Sequence, residues 1–153
     1  MKTQNIIVIF GGTTYSGWAY TDLPLGAALV VASAQIEEAA DLARSAALGD
    51  PLRAVELDLA ASEAKAFAAA GYEGDVPLSV QAWVDAAGLS PQAATESILA
   101  ESAAWIDALQ KIRAARLKGK QGVLKAISHS AAEALADKAI EAIQASVAGI
   151  GNA

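Results

Sequence analysis

The chain has 153 residues, one histidine, no cysteine and a formal net charge of −6. Without cysteine there is no disulfide, no thiol nucleophile and no thiolate-bound zinc, and the acidic balance weighs against nucleic acid as the main partner. Apolar residues make up 54% of the chain, enough for a core, but about a quarter of all residues are alanine, which raises hydropathy while adding little buried area.

Asn5–Phe10 (NIIVIF) is a β-branched run ending at Gly11-Gly12, which predicts a strand and a turn. Tyr15–Thr21 predicts a second strand, in a hairpin with the first. Pro24 and Gly26 punctuate the chain, and Ala27–Ala32 (AALVVA) predicts a third strand. Gln35–Leu48 has helical spacing through Ile36, Ala39, Ala40, Leu42 and Ala43, with Glu37 and Glu38 favouring its start. Gly49-Asp50-Pro51 stops it. Arg53–Leu59 alternates Val55, Leu57 and Leu59 against Glu56 and Asp58, the pattern of a half-buried strand. Strand, helix and strand together predict a βαβ unit with a right-handed crossover.

From there on the pattern is helical. Ser62 can cap a short helix over 63–70, and residues 71–77 form a turn-rich connection. Ser79–Ala87 predicts a helix closed by Gly88. Ser90 as N-cap and Pro91 at the first helical position start a long helix, with Ala94, Ile98, Trp105, Leu109 and Ile112 as its apolar stripe. Gly119 and Gly122 weaken its far end by up to about 1 kcal/mol each. The capping-box pattern Ser130-Ala131-Ala132-Glu133 opens a last helix to Val147, with Leu135, Ala139, Ile143 and Val147 on one face. The expected fold is α+β. A small mixed sheet with one crossover helix fills residues 1–60. A helical part fills 61–153, with a long helix near 91–118 and a last one near 131–147. No stretch approaches about 18 uninterrupted apolar residues, and Ile6–Phe10 is too short for a secretory core, so neither membrane insertion nor export is expected.

The residues carry little catalytic pattern. Ile9–Gly17 (IFGGTTYSG) has a glycine-rich turn after a strand, but no Walker lysine follows and the dinucleotide spacing is absent, so a hairpin turn is favoured over a ligand loop. Val80–Ile98 has the outline of a helix-turn-helix. Its second helix carries Glu96 and Glu101 and no Lys or Arg before Lys111, so an ordinary helical corner with Trp83 in the core is favoured. Trp105 is also assigned to the core. His129 lies between two serines and has no nucleophile pattern beside it, which suits a surface or capping role. Glu37-Glu38 and Glu56-x-Asp58 suit exposed faces better than metal binding. Two regions remain as candidate partner contacts: the aromatic group Tyr15, Trp18 and Tyr20, which suits a core at least as well, and the basic run Lys111, Arg113, Arg116, Lys118 and Lys120, which suits a solvated helix end at least as well.

Glu63–Lys120 carries Ala-Gly-Tyr at 70–72, Val76-Pro77, Trp83, Gly88 before a capped helix, Ile98-Leu99, Trp105 and Ile112-Arg113-x-x-Arg116. In these features the segment resembles small proteins of bacteriophage and prophage tail gene modules. The resemblance implies a structural accessory protein of a tail tip or receptor-binding apparatus, made in the host cytoplasm and carried in the virion tail. Its expected partners are other tail or fibre proteins, with a homo-oligomer possible and nucleic acid and membrane excluded. Neither enzyme activity nor a cofactor or metal is expected. One alternative is a tail-fibre assembly chaperone; another is a small-ligand or nucleotide-binding protein using Gly11–Gly17.

Overall fold

The computed structural model describes residues 1–48 and 50–149. Strands β1 (Ile6–Phe10) and β2 (Thr13–Trp18) form an antiparallel hairpin, a single turn of 3₁₀ helix follows at Tyr20–Asp22, and five helices follow among the described residues. These are α1 (Leu25–Leu48), α2 (Pro51–Ala69), α3 (Leu78–Ala87), α4 (Pro91–Leu124) and α5 (His129–Ala145). The expected class, α+β with a helical C-terminal part, is the observed one.

The hairpin forms for local reasons. Gly11 and Gly12 are its two turn residues, with φ of 58° and 78°; a two-residue turn matched to strand twist needs positive φ at both, which glycine adopts without steric cost. Gly17 (φ 78°) is the extra residue of a bulge, since Ile6 pairs with Trp18 while Ile7 pairs with Ser16. Ile6 and Val8 pack onto the core and Phe10, on the same face, lies against Gly26, whereas Ile7 and Ile9 face out.

Several expectations are corrected here. Residues 27–32 and 53–59 are helical, in α1 and α2, so the sheet is two-stranded and antiparallel and there is no βαβ crossover. In α1 the buried positions Ala28, Ala32, Ile36, Ala40, Ala43 and Ala47 step by three and four residues; alanine carries the helical stripe that the Val-Val pair disguises. In α2, Asp50 is the N-cap, its carboxylate accepting from the Leu52 N–H at 2.8 Å, and Pro51 is the first helical residue. Helix α1 does end at Leu48, just before this segment, as expected, and Asp50 and Pro51 also start the next helix; Gly49 lies outside the described residues. Ser62 lies inside α2 and caps nothing.

Helix α3 closes at Gly88 in the left-handed conformation (φ 65°), as expected. Helix α4 starts at Ser90-Pro91 as expected, with the Ser90 hydroxyl accepting from the Ala93 N–H at 3.2 Å, and it runs on through Gly119 and Gly122 to Leu124. Helix α5 is capped by Ser128, which accepts from the Ala131 N–H at 3.2 Å, two residues before the expected capping box. Its buried face is Ala132, Ala136, Ala139 and Ile143, and Leu135 is exposed.

The chain divides into two compact units: residues 1–46 with 109–149, and residues 47–108. This division is discontinuous, unlike the expected boundary near residue 60. In the first unit the core joins Ile6, Tyr20 and Leu23 to buried residues of α1, the second half of α4 and α5. Small residues set the helix spacing there. A Cβ added at Gly119 would lie 2.4 Å from the Ala139 Cβ and 3.2 Å from the Ile36 Cδ1, so only glycine lets α4 meet both neighbours this closely. At Gly26 the Phe10 ring occupies the space a Cβ would take, which seats the hairpin on the first turn of α1. In the second unit Ala64, Val80 and Ala94 form the core, with Val76, Val84, Ile98 and Leu99 packed on it. The Glu63 carboxylate accepts from the Ser79 N–H at 2.9 Å, tying the start of α3 to α2. Phe67 and Tyr72 meet edge to face at 5.9 Å.

The two helical glycines therefore differ. Gly119→Ala should cost about 1–3 kcal/mol because the added methyl meets a helix that cannot give way. At Gly122 the nearest atom to an added Cβ is the flexible Leu135 side chain at 3.4 Å, so Gly122→Ala should gain up to about 1 kcal/mol from helix propensity. Urea denaturation of both variants checks this; equal effects of the same sign would refute the close-approach role of Gly119.

Candidate interaction surfaces

The aromatic group does not act as one surface. Trp18 is exposed (42%), Tyr15 is half-buried, and their rings meet edge to face at 5.3 Å. Tyr20 is completely buried, so its assignment as a contact residue is corrected: it is a core residue. The reason is its place after β2. Its N–H donates to the Thr3 carbonyl at 2.8 Å, and its ring turns inward against His129, centroids 5.7 Å apart and edge to face. His129 Nε2 lies 2.8 Å from the Leu23 carbonyl; since a carbonyl only accepts, that nitrogen carries the proton. The lone histidine thus links the N-terminal turn to the first residue of α5, more than the surface or capping role expected of it. Burial, and then the charge of Glu133, raise the Tyr20 pKa, so its phenol stays neutral, yet its hydroxyl has no hydrogen-bond partner among the described residues.

The basic run also splits. Arg116 Nη1 donates to both Glu37 oxygens at 2.9 Å, and Lys120 Nζ donates to Glu37 Oε2 at 2.6 Å. One carboxylate on α1 therefore holds two cations one turn apart on α4. The hydrogen bonds from Lys120 and then Arg116 hold the Glu37 carboxyl below its usual range. Arg113 and Lys118 are exposed, as is Lys111. Four of the five cations thus divide in two: Arg116 and Lys120 bind α4 to α1 within the molecule, while Arg113 and Lys118 are exposed.

Both tryptophans assigned to the core sit nearer the surface. Trp83 is 38% exposed and its indole Nε1 donates to the Ser97 hydroxyl at 3.3 Å; Trp105 is half-buried. Trp83 borders an open apolar groove of about 220 Å³ with Leu57, Ala60, Ala82 and Ile98, whose polar members include Ser102 and Glu101.

One surface escaped the sequence reading. Leu52, Val55 and Leu59 lie on one stripe of α2 at three- and four-residue steps and are 70%, 64% and 57% exposed. Reading 53–59 as a strand paired Val55 with Leu57 and Leu59 and hid this stripe; Asp50-Pro51 as a helix start was the available signal. On the hairpin, Ile7 and Ile9 are comparably exposed.

Among the described residues no cluster of three or more acidic or histidine side chains could hold a metal, and no helix is long and apolar enough to cross a membrane. The Gly11-Gly12 pair is taken up by the hairpin turn, with β2 rather than a helix after it, so it does not form the helix-terminal phosphate cradle. No family model matches the chain, and no curated protein or solved structure proves similar to it.

Two variants check these assignments. Tyr20→Phe should leave stability unchanged or raise it by up to about 1 kcal/mol, because it deletes a buried hydroxyl without a partner; a loss above about 1 kcal/mol would mean the hydroxyl is bonded. Glu37→Gln should cost about 1 kcal/mol at pH 7, a modest value for a half-exposed cluster. The lowered Glu37 pKa means its contribution is complete above the unfolded carboxyl pKa and is lost as pH falls through the folded value. The stability gap between wild type and Glu37→Gln should therefore close below about pH 4; a gap that persists unchanged there would exclude the carboxylate as its source.

Proposed function

We propose that this chain is a non-catalytic protein-binding component of a phage tail, an accessory protein of the tail tip or receptor-binding apparatus. The observation that carries the binding role is the uncovered α2 stripe of Leu52, Val55 and Leu59. A helix in water does not gain by presenting three large apolar side chains in register; such a stripe is stabilised when another apolar helix or sheet face covers it. The tail assignment rests on the resemblance of Glu63–Lys120 to tail-module proteins, and the second unit, with α2, α3 and the first half of α4, holds most of that segment. Arg113 and Lys118, exposed on α4, offer charge to an acidic partner.

Mass spectrometry of purified particles tests the reading. The chain should be present at a fixed ratio to a known tail protein. Val55→Glu with Leu59→Glu should keep the helical circular dichroism and lower that ratio at least tenfold. Absence of the wild-type chain from particles, with the chain found on fibre protein in lysates, would replace this reading by the assembly-chaperone one.

A further inference from the structure

The α2 stripe leaves unexplained a second uncovered surface of different chemistry, the outer edge of β1. Among the described residues β1 pairs with β2 alone, and no further backbone hydrogen bond reaches Ile6–Phe10. A strand in this position offers a row of main-chain donors and acceptors that only another extended strand can match. Natural edge strands are guarded by charge, proline or a bulge. The edge of β2 has such a guard in the Gly17 bulge. Strand β1 has none of these: its sequence is Ile-Ile-Val-Ile-Phe, and Ile7 and Ile9 are 74% and 71% exposed on the outer face.

We infer that β1 pairs antiparallel with β1 of a second copy across a two-fold axis at Val8, giving a four-stranded sheet of order β2-β1-β1′-β2′. Two observations favour a second copy. The strand is its own complement: with Val8 opposite Val8, Ile7 faces Ile9 and Ile6 faces Phe10. Opposed residues then share a face, outer with outer and core-side with core-side, and each pair is apolar. Charge also permits it. Residues 3–21 hold no charged side chain, in a chain whose net charge is −6, so the hairpin is where two copies approach with the least repulsion. The extent of the contact is sufficient for reversible association. Five residues of strand edge cover less than the roughly 800 Å² per partner of a standard stable interface, so the dimer should be weak and concentration-dependent. This pairing does not depend on the tail assignment.

The absence of native cysteine makes the register directly testable. One preparation of the full chain carries Ile7→Cys and another carries Ile9→Cys. Directly opposed residues in an antiparallel pair lie about 4.5–5.5 Å apart at Cα, within disulfide reach. Mixed under mild oxidation, the two should form the 7–9′ heterodimer at least tenfold faster than Ile7→Cys alone or a control pair using Leu42→Cys, which is exposed on α1. Sedimentation of the wild-type chain should show a concentration-dependent dimer, and Ile9→Lys, with unchanged circular dichroism, should shift it to monomer. A wild-type chain that stays monomeric at about 500 µM, or forms open-ended polymers, overturns the inference, as does cross-linking with no preference for the 7–9′ pair. Should Ile9→Lys fail to fold, the cross-linking result alone decides.

Discussion

The first unit depends on how closely its helices approach. Where α1, α4 and α5 meet, Gly119 presents no side chain to Ala139 and Ile36. Around that point the buried positions are mostly alanine: Ala28, Ala32 and Ala40 on α1, and Ala132, Ala136 and Ala139 on α5. Small residues draw helix axes together and make contact mainly through backbone and methyl groups. The bulky exceptions, Tyr20, Ile36, Ile112 and Ile143, fill the space left between the helices. Each alanine buries little area, so stability in such a core is gained through length. That is a physical reason for helices of 24 and 34 residues in a chain of this size.

The same economy explains the surface. Alanine occupies many of the core positions, so several larger apolar side chains are left outside, among them Ile7, Ile9, Leu52, Val55 and Leu59. Scattered singly they would mean nothing, because folded proteins expose much apolar area. Here they are grouped by secondary structure, three on one helical stripe and two on one strand face. Charge is organised separately. Glu37 binds Arg116 and Lys120 within the molecule, which removes two of the five cations of the basic run from the set available to a partner, and residues 3–21, which include the hairpin, carry no charged side chain on an anionic chain.

Local signals were the legible part of the sequence. The Gly11-Gly12 turn between β-branched and polar residues, the Gly88 helix end and the Ser90-Pro91 helix start act within a few residues and were readable as such. Asp50-Pro51 was equally local but ambiguous in direction, since a proline that opens one helix also follows the end of another. Residues 27–32 failed for another reason. Val30-Val31 favours a strand by propensity, and the alanines around it give no contrast between buried and exposed faces, so periodicity carried little information there.

Sequence alone therefore determined the hairpin, most of the helix ends and the α+β class, because these rest on backbone preferences of glycine, proline and capping side chains. Only the tertiary structure decided which apolar residues are covered. Tyr20 is buried and Trp18 is exposed though they stand two residues apart, because the chain turns at the 3₁₀ segment and places one ring against His129. Trp83 lies at a groove edge rather than in the core because Val80, one turn earlier on α3, already fills the contact with Ala64 and Ala94. Coverage depends on what the rest of the chain brings alongside, and in a chain whose core positions are mostly methyl groups, composition does not distinguish a buried face from an exposed one.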